Sequence, residues 1–522
     1  MLRQETMTDP LQAAHDAARQ VVVQSTSCVS YRSEGKLLLI GSAEQVLEIM
    51  PRLTTLQITV LLCPSATTQQ RRQLTATANV LSVQNPVDFK LAGHFGAFAL
   101  HIADQEPLRF DLVLDLREQQ AFSQEVLPIG FYAPRDDARK LQDCLGELPE
   151  MRGQFDKPKY FVLDNERCAH CRSGIIGCQR CLDACPAGAI QSRDGQISVD
   201  PYLCQGCGDC SSVCPAGAIS YNYPNRQDAL SRLFSMLRAF FVAGGSRPVI
   251  LLHDREQAPE MTASSPVIPF QLESIAAAGM EVWLAALAHG AQAVWLLDHD
   301  QMPKKSRQTL NRQMHQAEQI LAGMGYAGDL IRWMAPSAVS YAQAGGLQIP
   351  PATFAGVADK REVIRMAIAH LLQHAPRKTY VVDLDGDAAF GEVRVAGDKC
   401  TLCMACVSVC PEAALLSGSN LPQLKFIESQ CIQCGICQSA CPEHAITLHG
   451  RYRYNENAAK HPKILHQEEA VECIQCHKPF TTESMLRAVS ARLGRHPLFQ
   501  GENRRRLRMC EQCRVEAMFG KP

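Results

Sequence analysis

Four cysteines at short, fixed spacing constrain this chain more than any other feature. Cys204, Cys207, Cys210 and Cys214 are separated by two, two and three residues, and Pro215 follows the last of them. A shortened copy of the run comprises Cys178, Cys181 and Cys185. Two further complete copies, each also closed by proline, consist of Cys400, Cys403, Cys406 and Cys410, and of Cys431, Cys434, Cys437 and Cys441. Such a repeat indicates loops that wrap around bound metal, because thiolates are the ligands that soft metals prefer.

The spacing is that of the ligand run in bacterial 4Fe–4S ferredoxins. The copies come in pairs, with 18 residues between Cys185 and Cys204 and 20 residues between Cys410 and Cys431. Each Cys-Pro is followed by a similar apolar tail, such as residues 187–190 in the first copy. Each pair therefore resembles one bacterial two-cluster ferredoxin domain. The resemblance implies four 4Fe–4S clusters in the chain.

In two-cluster ferredoxins the last cysteine of one run binds the neighbouring cluster. The resemblance therefore implies four mixed ligand sets. These are Cys204, Cys207 and Cys210 with Cys185; Cys178, Cys181 and either Cys168 or Cys171 with Cys214; Cys400, Cys403 and Cys406 with Cys441; and Cys431, Cys434 and Cys437 with Cys410. The insertion at residues 172–177 interrupts the first run, so spacing does not choose between Cys168 and Cys171. His170 is expected at the surface or beside a ligand, not on iron.

Composition and charge narrow the class of protein. The formal net charge of −1 provides no bulk field for nucleic acid or an anionic membrane. The start of the chain has no apolar signal-peptide region, and CxxC pairs in such a chain favour metal over disulfides. The apolar segment 275–297 contains Glu281 and His289, which are costly in lipid, so a buried helix and strand are expected rather than a membrane span. The sequence predicts a soluble, cytoplasmic protein.

Hydrophobic patterns predict a multidomain protein of the α/β and α+β classes. Buried strands are expected at residues 36–40, 58–62, 110–115, 248–252, 267–270 and 293–297, with a helix over 280–289. Residues 451–470 are polar and are predicted to be a linker, and Cys28, Cys63 and Cys144 are predicted to be small buried residues. The expected domains are an N-terminal α/β domain at 1–150, a first ferredoxin domain at 151–225, a cysteine-free α/β domain at 226–395, a second ferredoxin domain at 396–450 and a C-terminal Cys₄ module at 451–522.

Segment 272–298 in the cysteine-free domain is similar to the hydrogenase delta-subunit domain that accompanies heterodisulfide reductases. In that family the domain holds a 2Fe–2S cluster on cysteines, and residues 226–395 contain no cysteine. The resemblance therefore implies a fold and a docking role without a cluster. Trp283 and Trp295 are expected in the core.

Two CxxC pairs near the end of the chain differ from the ferredoxin runs. Cys473 and Cys476 are separated from Cys510 and Cys513 by 33 residues. This spacing matches a Cys₄ structural zinc site, in which one ion is held between two short loops. A fifth iron–sulfur cluster and an unmetallated set of thiols are the alternatives. A helix is expected between the pairs, and the basic run 504–508 forms either a solvated face or a docking surface.

The complete layout resembles a family of large bacterial cytoplasmic 4Fe–4S proteins found beside respiratory formate dehydrogenase genes. That resemblance implies an electron-transfer protein that relays single electrons to or from a redox partner such as formate dehydrogenase. The chain contains no recognised catalytic constellation, so no catalytic residue is assigned. Two alternatives stay open: an oxidoreductase subunit with an unrecognised flavin or nucleotide site, and an accessory or maturation protein that docks a metalloenzyme.

Overall fold

The computed structural model describes residues 9–520 except 64–66, 86–87, 104, 260–265, 340–345, 357–358, 494–495 and 497–498. Within those ranges the chain is a mixed helix–strand protein with separate hydrophobic cores for its parts. No described helix is both long enough and apolar enough to cross a membrane.

A parallel sheet forms the centre of the N-terminal part. Its strands lie in the order Asn79–Ser82, Gln57–Leu62, Lys36–Gly41, Leu112–Asp115 and Phe131–Tyr132. The central strand is an unbroken apolar run because Leu37 and Leu39 enter one core while Leu38 and Ile40 enter the other. One face is covered by helices Ala43–Ile49, Thr68–Thr75 and Ala138–Glu147. The other face packs against antiparallel strands Phe89–Ala92, Phe98–Ile102 and Leu108–Phe110.

The scattered cysteines of this part do not share one environment. Cys63 is buried and Cys144 is half-buried, but Cys28 is exposed on strand Cys28–Ser33. The prediction of a buried residue is therefore wrong for Cys28, because its side chain lies on the solvent side of a strand that alternates between exposed and buried positions.

The first helix, Pro10–Gln20, packs away from this sheet. It lies against helix Arg226–Val242, and its buried Ala14 and Ala18 belong to the core of the cysteine-free part. The Gln24 N–H also donates to the Asp228 carboxylate at 2.8 Å. The predicted N-terminal unit thus contains a helix that contributes to a different core.

The cysteine-free part is a second parallel sheet flanked by helices. Its strands lie in the order Val267–Leu272, Val249–Asp254, Ala293–Leu297 and Ile331–Met334. The flanking helices are Arg226–Val242, Met280–Ala288, Lys304–Gly323 and Lys360–Gln373. Every residue of Met280–Ala288 is buried, and both Trp283 and Trp295 lie in the protein interior. The apolar segment 275–297 is therefore a core helix and a core strand, as predicted.

The ferredoxin-type parts are built from short helices and strands. In the first part they are strands Phe161–Leu163, Cys171–Arg172, Ile175–Ile176, Ile190–Arg193, Gln196–Val199 and Ile219–Tyr221, with helices Arg180–Ala184 and Asp209–Val213. In the second part they are strands Val381–Asp383, Gly391–Val395, Leu415–Ser417, Gln423–Phe426 and Ile446–Arg453, with helices Ala405–Ser408 and Ile436–Ala440.

Residues 451–470 are not a linker, contrary to the prediction. Arg451 lies in strand Ile446–Arg453 and pairs with Glu428 at 2.7 Å and with Glu392 at 2.5 Å. Helix Glu456–Lys460 follows, and strand Lys463–Gln467 joins the sheet of the second ferredoxin part. The prediction failed because it took polar residues to be exposed to solvent, whereas these charged side chains are paired inside the fold. The remaining chain forms strands Ala470–Glu472 and Pro479–Thr482, helices Glu483–Leu493 and Glu511–Phe519 and the 3₁₀ segment Gly501–Arg508.

Candidate iron–sulfur and metal sites

The three complete cysteine runs share one backbone conformation. In each run, the residue before the second cysteine and the residue after it are both left-handed. Turns with left-handed residues can direct backbone N–H groups into an anion-binding concavity, which would suit an anionic iron–sulfur group. Left-handed backbone costs about 1–3 kcal/mol at residues other than glycine, so its recurrence indicates a shared requirement. The residues and their φ angles are Gly206 (76°), Gly208 (87°), Leu402 (54°), Met404 (60°), Gln433 (55°) and Gly435 (85°).

A further left-handed residue follows each Cys-Pro. It is Gly188, Gly217, Ala413 or His444, according to the copy. In the second ferredoxin part, this turn lets Ala414 N–H donate to Cys410 Sγ at 3.3 Å and Ala445 N–H donate to Cys441 Sγ at 3.3 Å. Hydrogen bonds to sulfur stabilise a thiolate ligand and tune the potential of an iron–sulfur group.

Sixteen of the predicted cysteines form four groups of four, each drawn from both runs of a pair. We name these groups sites 1 to 4 and define them by their residues. Site 1 is Cys185, Cys204, Cys207 and Cys210; site 2 is Cys168, Cys178, Cys181 and Cys214; site 3 is Cys410, Cys431, Cys434 and Cys437; and site 4 is Cys400, Cys403, Cys406 and Cys441.

Site 1 draws its cysteines from both runs of the first ferredoxin domain. Burial, followed by the thiols of Cys204, Cys185 and Cys181, raises the pKa of Cys210 well above its usual range. Since Cys181 belongs to site 2, the same interaction shows that sites 1 and 2 are neighbours. Lys157 Nζ donates to the Cys204 carbonyl at 2.5 Å, which places a cation beside this site.

Site 2 contains Cys168 rather than Cys171. Burial, followed by the thiols of Cys214, Cys178 and Cys168, raises the pKa of Cys181 to about 12. The four cysteines line a common cavity, whose lining does not include Cys171. Cys171 lies instead in the hairpin formed by residues 171–176, with its sulfur against Gly195.

His170 is buried between the two cysteine candidates, so it is not a surface residue. Its Nδ1 lies 3.0 Å from the Cys178 carbonyl, and its Nε2 lies 2.7 Å from Ser192 Oγ. Both ring nitrogens are therefore occupied by hydrogen bonds that hold the loop near site 2. Of the two predicted positions, the structure excludes the surface and places His170 beside Cys178.

Sites 3 and 4 repeat this arrangement in the second domain. The cysteines of site 3 line one cavity, and burial, followed by Cys403, Cys400 and Cys441, raises the pKa of Cys406 to about 12 in site 4. Among the ferredoxin-run cysteines, Cys403 has the exposed side chain. Site 4 therefore opens to the surface.

Sites 2 and 3 meet at the boundary between the ferredoxin domains, which we call the junction. Ile432 packs there with cysteines of both domains, including Cys178 and Cys434. Burial, followed by the thiols of Cys431, Cys410 and Cys178, raises the pKa of Cys434 to about 11. Burial, followed by the thiols of Cys431, Cys434, Cys410 and Cys406, raises the pKa of Cys437 in site 3, and Cys406 belongs to site 4. Neighbouring sites therefore follow one another in the order 1, 2, 3, 4.

The insertion that makes the first run irregular builds part of the junction. Gly177, at the end of this insertion, lies so close to Ile436 of the second domain that any side chain at residue 177 would overlap it. The irregular spacing in the sequence therefore reflects a contact between domains.

Basic residues that the sequence analysis missed surround the junction. Arg180 pairs with Asp387 at 2.9 Å and donates to the Ile432 carbonyl at 3.4 Å. Lys360 Nζ donates to the Ser211 carbonyl at 2.8 Å, and Arg361 donates to the Cys431 carbonyl at 2.8 Å. Burial and the nearby Arg365 lower the pKa of Arg361 to about 10.

One signal in the sequence could have identified two of these cations. Lys360 and Arg361 occupy the first two positions of helix Lys360–Gln373. The positive end of a helix dipole disfavours cations there, so adjacent basic residues indicate a partner outside the helix. Arg180 also begins a helix, Arg180–Ala184, but it stands there as a single basic residue rather than as an adjacent pair.

The C-terminal cysteines form a site of a different size. The sulfur atoms of Cys473, Cys476, Cys510 and Cys513 all lie within 4.8 Å of one another, and those of Cys476 and Cys510 are 3.7 Å apart. Tetrahedral zinc with bonds of about 2.3 Å separates its sulfur ligands by about 3.8 Å. A cluster of four irons spreads its ligands more widely. This set therefore fits one tetrahedral ion, and in the described ranges no other set of three or more candidate ligands is this close.

A cleft separates the N-terminal sheets from the first ferredoxin domain. It encloses about 640 Å³ and is lined by strand Phe89–Ala92, by residues 119–124 and by Gly188 beside site 1. Arg117 reaches the cleft, but Asp115 holds its guanidinium at 2.7 Å. The cleft therefore offers polar side chains beside site 1.

Known protein families match both cysteine-rich regions. The 4Fe-4S dicluster domain family matches residues 176–218, and the 4Fe-4S binding domain family matches residues 393–416 and 424–447. The chain is an iron–sulfur protein with two ferredoxin-type 4Fe–4S domains. No curated protein matches the chain. The first family match begins after Cys168 and Cys171, so it does not distinguish between these two cysteines.

Proposed function

We propose that the chain is an electron-transfer protein whose sites 1 to 4 each hold one 4Fe–4S cluster. The observation that supports this function best is the junction, where Cys178 of site 2 and Cys434 of site 3 pack around Ile432. Two independent ferredoxin domains would not need this contact. A 4Fe–4S cluster accepts and gives up one electron at a time, and the junction makes the two pairs of sites one continuous path.

The four sites differ in how far their cysteines are exposed to solvent. Cys207 and Cys210 at site 1 are half-buried, whereas Cys403 at site 4 is exposed. Solvent exposure and hydrogen bonding are among the main determinants of cluster potential. Site 4 is therefore the proposed point of exchange with a redox partner.

Metal and sulfide analysis combined with EPR tests this function. Anaerobically purified protein is expected to contain about sixteen iron atoms and sixteen sulfides, because each of four clusters has four of both. Reduction with dithionite should give EPR signals broadened by magnetic interaction between neighbouring clusters. In Cys434→Ala, about four irons should be lost and the interaction across the junction should disappear.

The matched control for that variant is Cys28→Ala, which removes an exposed thiol outside the four sites. It should retain the iron, the sulfide and the coupled EPR signal. Iron well below sixteen in intact protein, or reduced clusters without magnetic interaction, would contradict the proposed row.

The partner is proposed to be a redox protein with an acidic docking face, and the family resemblance suggests formate dehydrogenase. Residues 471–522 contain ten Lys and Arg against five Glu. This basic module contacts site 4, since Thr482 Oγ1 donates to the Thr401 carbonyl at 3.3 Å and Arg492 pairs with Glu443 at 2.8 Å. Positive charge beside the exposed end would attract an acidic partner. A cytoplasmic location is likewise proposed from the family resemblance.

Reoxidation by ferricyanide, a small anionic acceptor, tests this docking surface. The reoxidation rate should fall as ionic strength rises, because salt screens the attraction between the basic module and the anion. At a fixed ionic strength, the double variant Arg504→Glu/Arg505→Glu should reoxidise more slowly than wild type, because both exposed side chains belong to the basic module. Arg71→Glu/Arg72→Glu makes the same change on exposed helix Thr68–Thr75 and should retain the wild-type rate. Equal slowing in both double variants would assign the effect to net charge alone.

A second candidate function is an oxidoreductase subunit that binds a flavin or nucleotide in the N-terminal cleft. The cleft beside site 1 favours it, because parallel sheets of this kind bind ligands near the carboxyl ends of their strands. The Asp115 partner of Arg117 argues against a phosphate site, since it already occupies that guanidinium. Flavin absorbance or a nucleotide released from denatured protein would favour this function.

A further inference from the structure

Arg361 lies against the backbone of site 3. Its guanidinium donates to the Cys431 carbonyl at 2.8 Å and to the Ala389 carbonyl at 2.9 Å. The guanidinium carbon also lies 4.4 Å from the centre of the Phe390 ring. Two carbonyls and an aromatic face thus hold the charge at one position beside the cysteine loop.

Unlike the other junction cations, Arg361 has no carboxylate within 4 Å in the described part of the chain. Arg180 has Asp387 at 2.9 Å, Lys360 has Glu281 at 3.7 Å, and Arg365 has Glu456 at 3.4 Å. Glu412 lines the site 3 cavity but lies beyond that distance from Arg361. Arg361 Nε is shielded from solvent and makes no hydrogen bond.

A shielded cation with no carboxylate in contact is costly. The position of Arg361 therefore calls for an anion, and the adjacent cavity is lined by the four thiols of site 3. A 4Fe–4S cluster on four thiolates is anionic, and reduction by a one-electron donor adds one further negative charge without making or breaking a bond at the protein.

We propose that Arg361 is the counter-charge of the group at site 3 and raises its reduction potential. This inference rests on the proposed function, because it requires a 4Fe–4S cluster at that site. A fixed positive charge favours the more negative, reduced form. Arg361 thereby stabilises an electron at the junction.

An EPR-monitored redox titration of the full-length holoprotein tests the role of Arg361. Arg361→Gln should shift one of the four one-electron components to lower potential. The expected shift is at least tenfold in the ratio of reduced to oxidised protein, which equals about 59 mV for one electron. Arg361→Lys, which retains the charge, should restore most of the wild-type potential.

The matched control is Arg180→Gln/Asp387→Asn, which removes a neutral pair from the same junction. In this variant the reduction potential of every component should stay much closer to the wild-type value than the shifted potential in Arg361→Gln does. If Arg361→Gln keeps its full iron and sulfide but shows no shift in potential, the inference is wrong. An equal shift in Arg361→Lys would also overturn it. Neither result would contradict the proposed electron-transfer function.

Cluster retention gives a second readout. Loss of about four irons from Arg361→Gln, with retention in Arg361→Lys, would support the counter-charge, whereas loss from both variants would contradict it. A wild-type protein without iron at these sites would overturn the proposed function itself.

Discussion

Replacing Cys168 by Ala is expected to lower the iron content from about sixteen to about twelve atoms per chain, because one 4Fe–4S cluster is lost. Cys168 lines the site 2 cavity together with Cys178, Cys181 and Cys214. Its removal leaves three thiolates where the cluster needs four. Iron and sulfide analysis of anaerobically purified protein measures the loss directly. The EPR interaction across the junction should disappear with it, because site 2 is the member of the first domain that meets site 3.

Cys171→Ala is the control for this prediction, since Cys171 lies only three residues away. Its sulfur rests against Gly195, outside the lining of the site 2 cavity. That variant should retain all its iron and its coupled EPR signal. Equal iron loss from both variants, or loss from Cys171→Ala alone, would show that the assignment of Cys168 is wrong.

Cys510→Ser is expected to release one zinc ion and unfold the C-terminal module. The module has a minimal core, in which Cys473, Met509, Cys510 and Cys513 are buried together beside Phe480. Three of these residues are the proposed metal ligands, so little apolar burial would remain without an ion. Structural zinc contributes on the order of 10 kcal/mol or more to the folding of such modules. Zinc analysis and limited proteolysis after residue 470 measure the two expected effects.

The ferredoxin EPR signals should survive in Cys510→Ser, because sites 1 to 4 lie outside this core. Cys28→Ser, which changes an exposed thiol, should retain both the zinc and the protease resistance. A wild-type module that contains a single iron would keep the tetrahedral geometry but exclude zinc. Loss of a cluster signal from Cys510→Ser would instead identify a fifth iron–sulfur centre.

The cysteine spacing was sufficient to predict the local structure of the sites. Residues two or three positions apart line one loop, so the runs predict which thiols gather, and the resemblance to two-cluster ferredoxins implies which one crosses to the neighbouring group. Hydrophobic patterns were equally direct for strand Lys36–Gly41 and helix Met280–Ala288, because segments covered on all sides are mostly apolar. Polarity alone failed at residues 451–470, where charges such as Arg451 are paired within the fold.

The sequence predicted the four cysteine groups through its resemblance to two-cluster ferredoxins, apart from the choice between Cys168 and Cys171, and the spacing of the C-terminal cysteines predicted that they gather at one site. Tertiary structure placed Cys168, and not Cys171, in the lining of the site 2 cavity, brought Cys178 beside Cys434 and placed Arg361 against Cys431. The physical reason is separation along the chain. Spacing encodes loops in which the ligands are neighbours in sequence, whereas residues 178 and 434 meet only because two domains and the helix between them pack together.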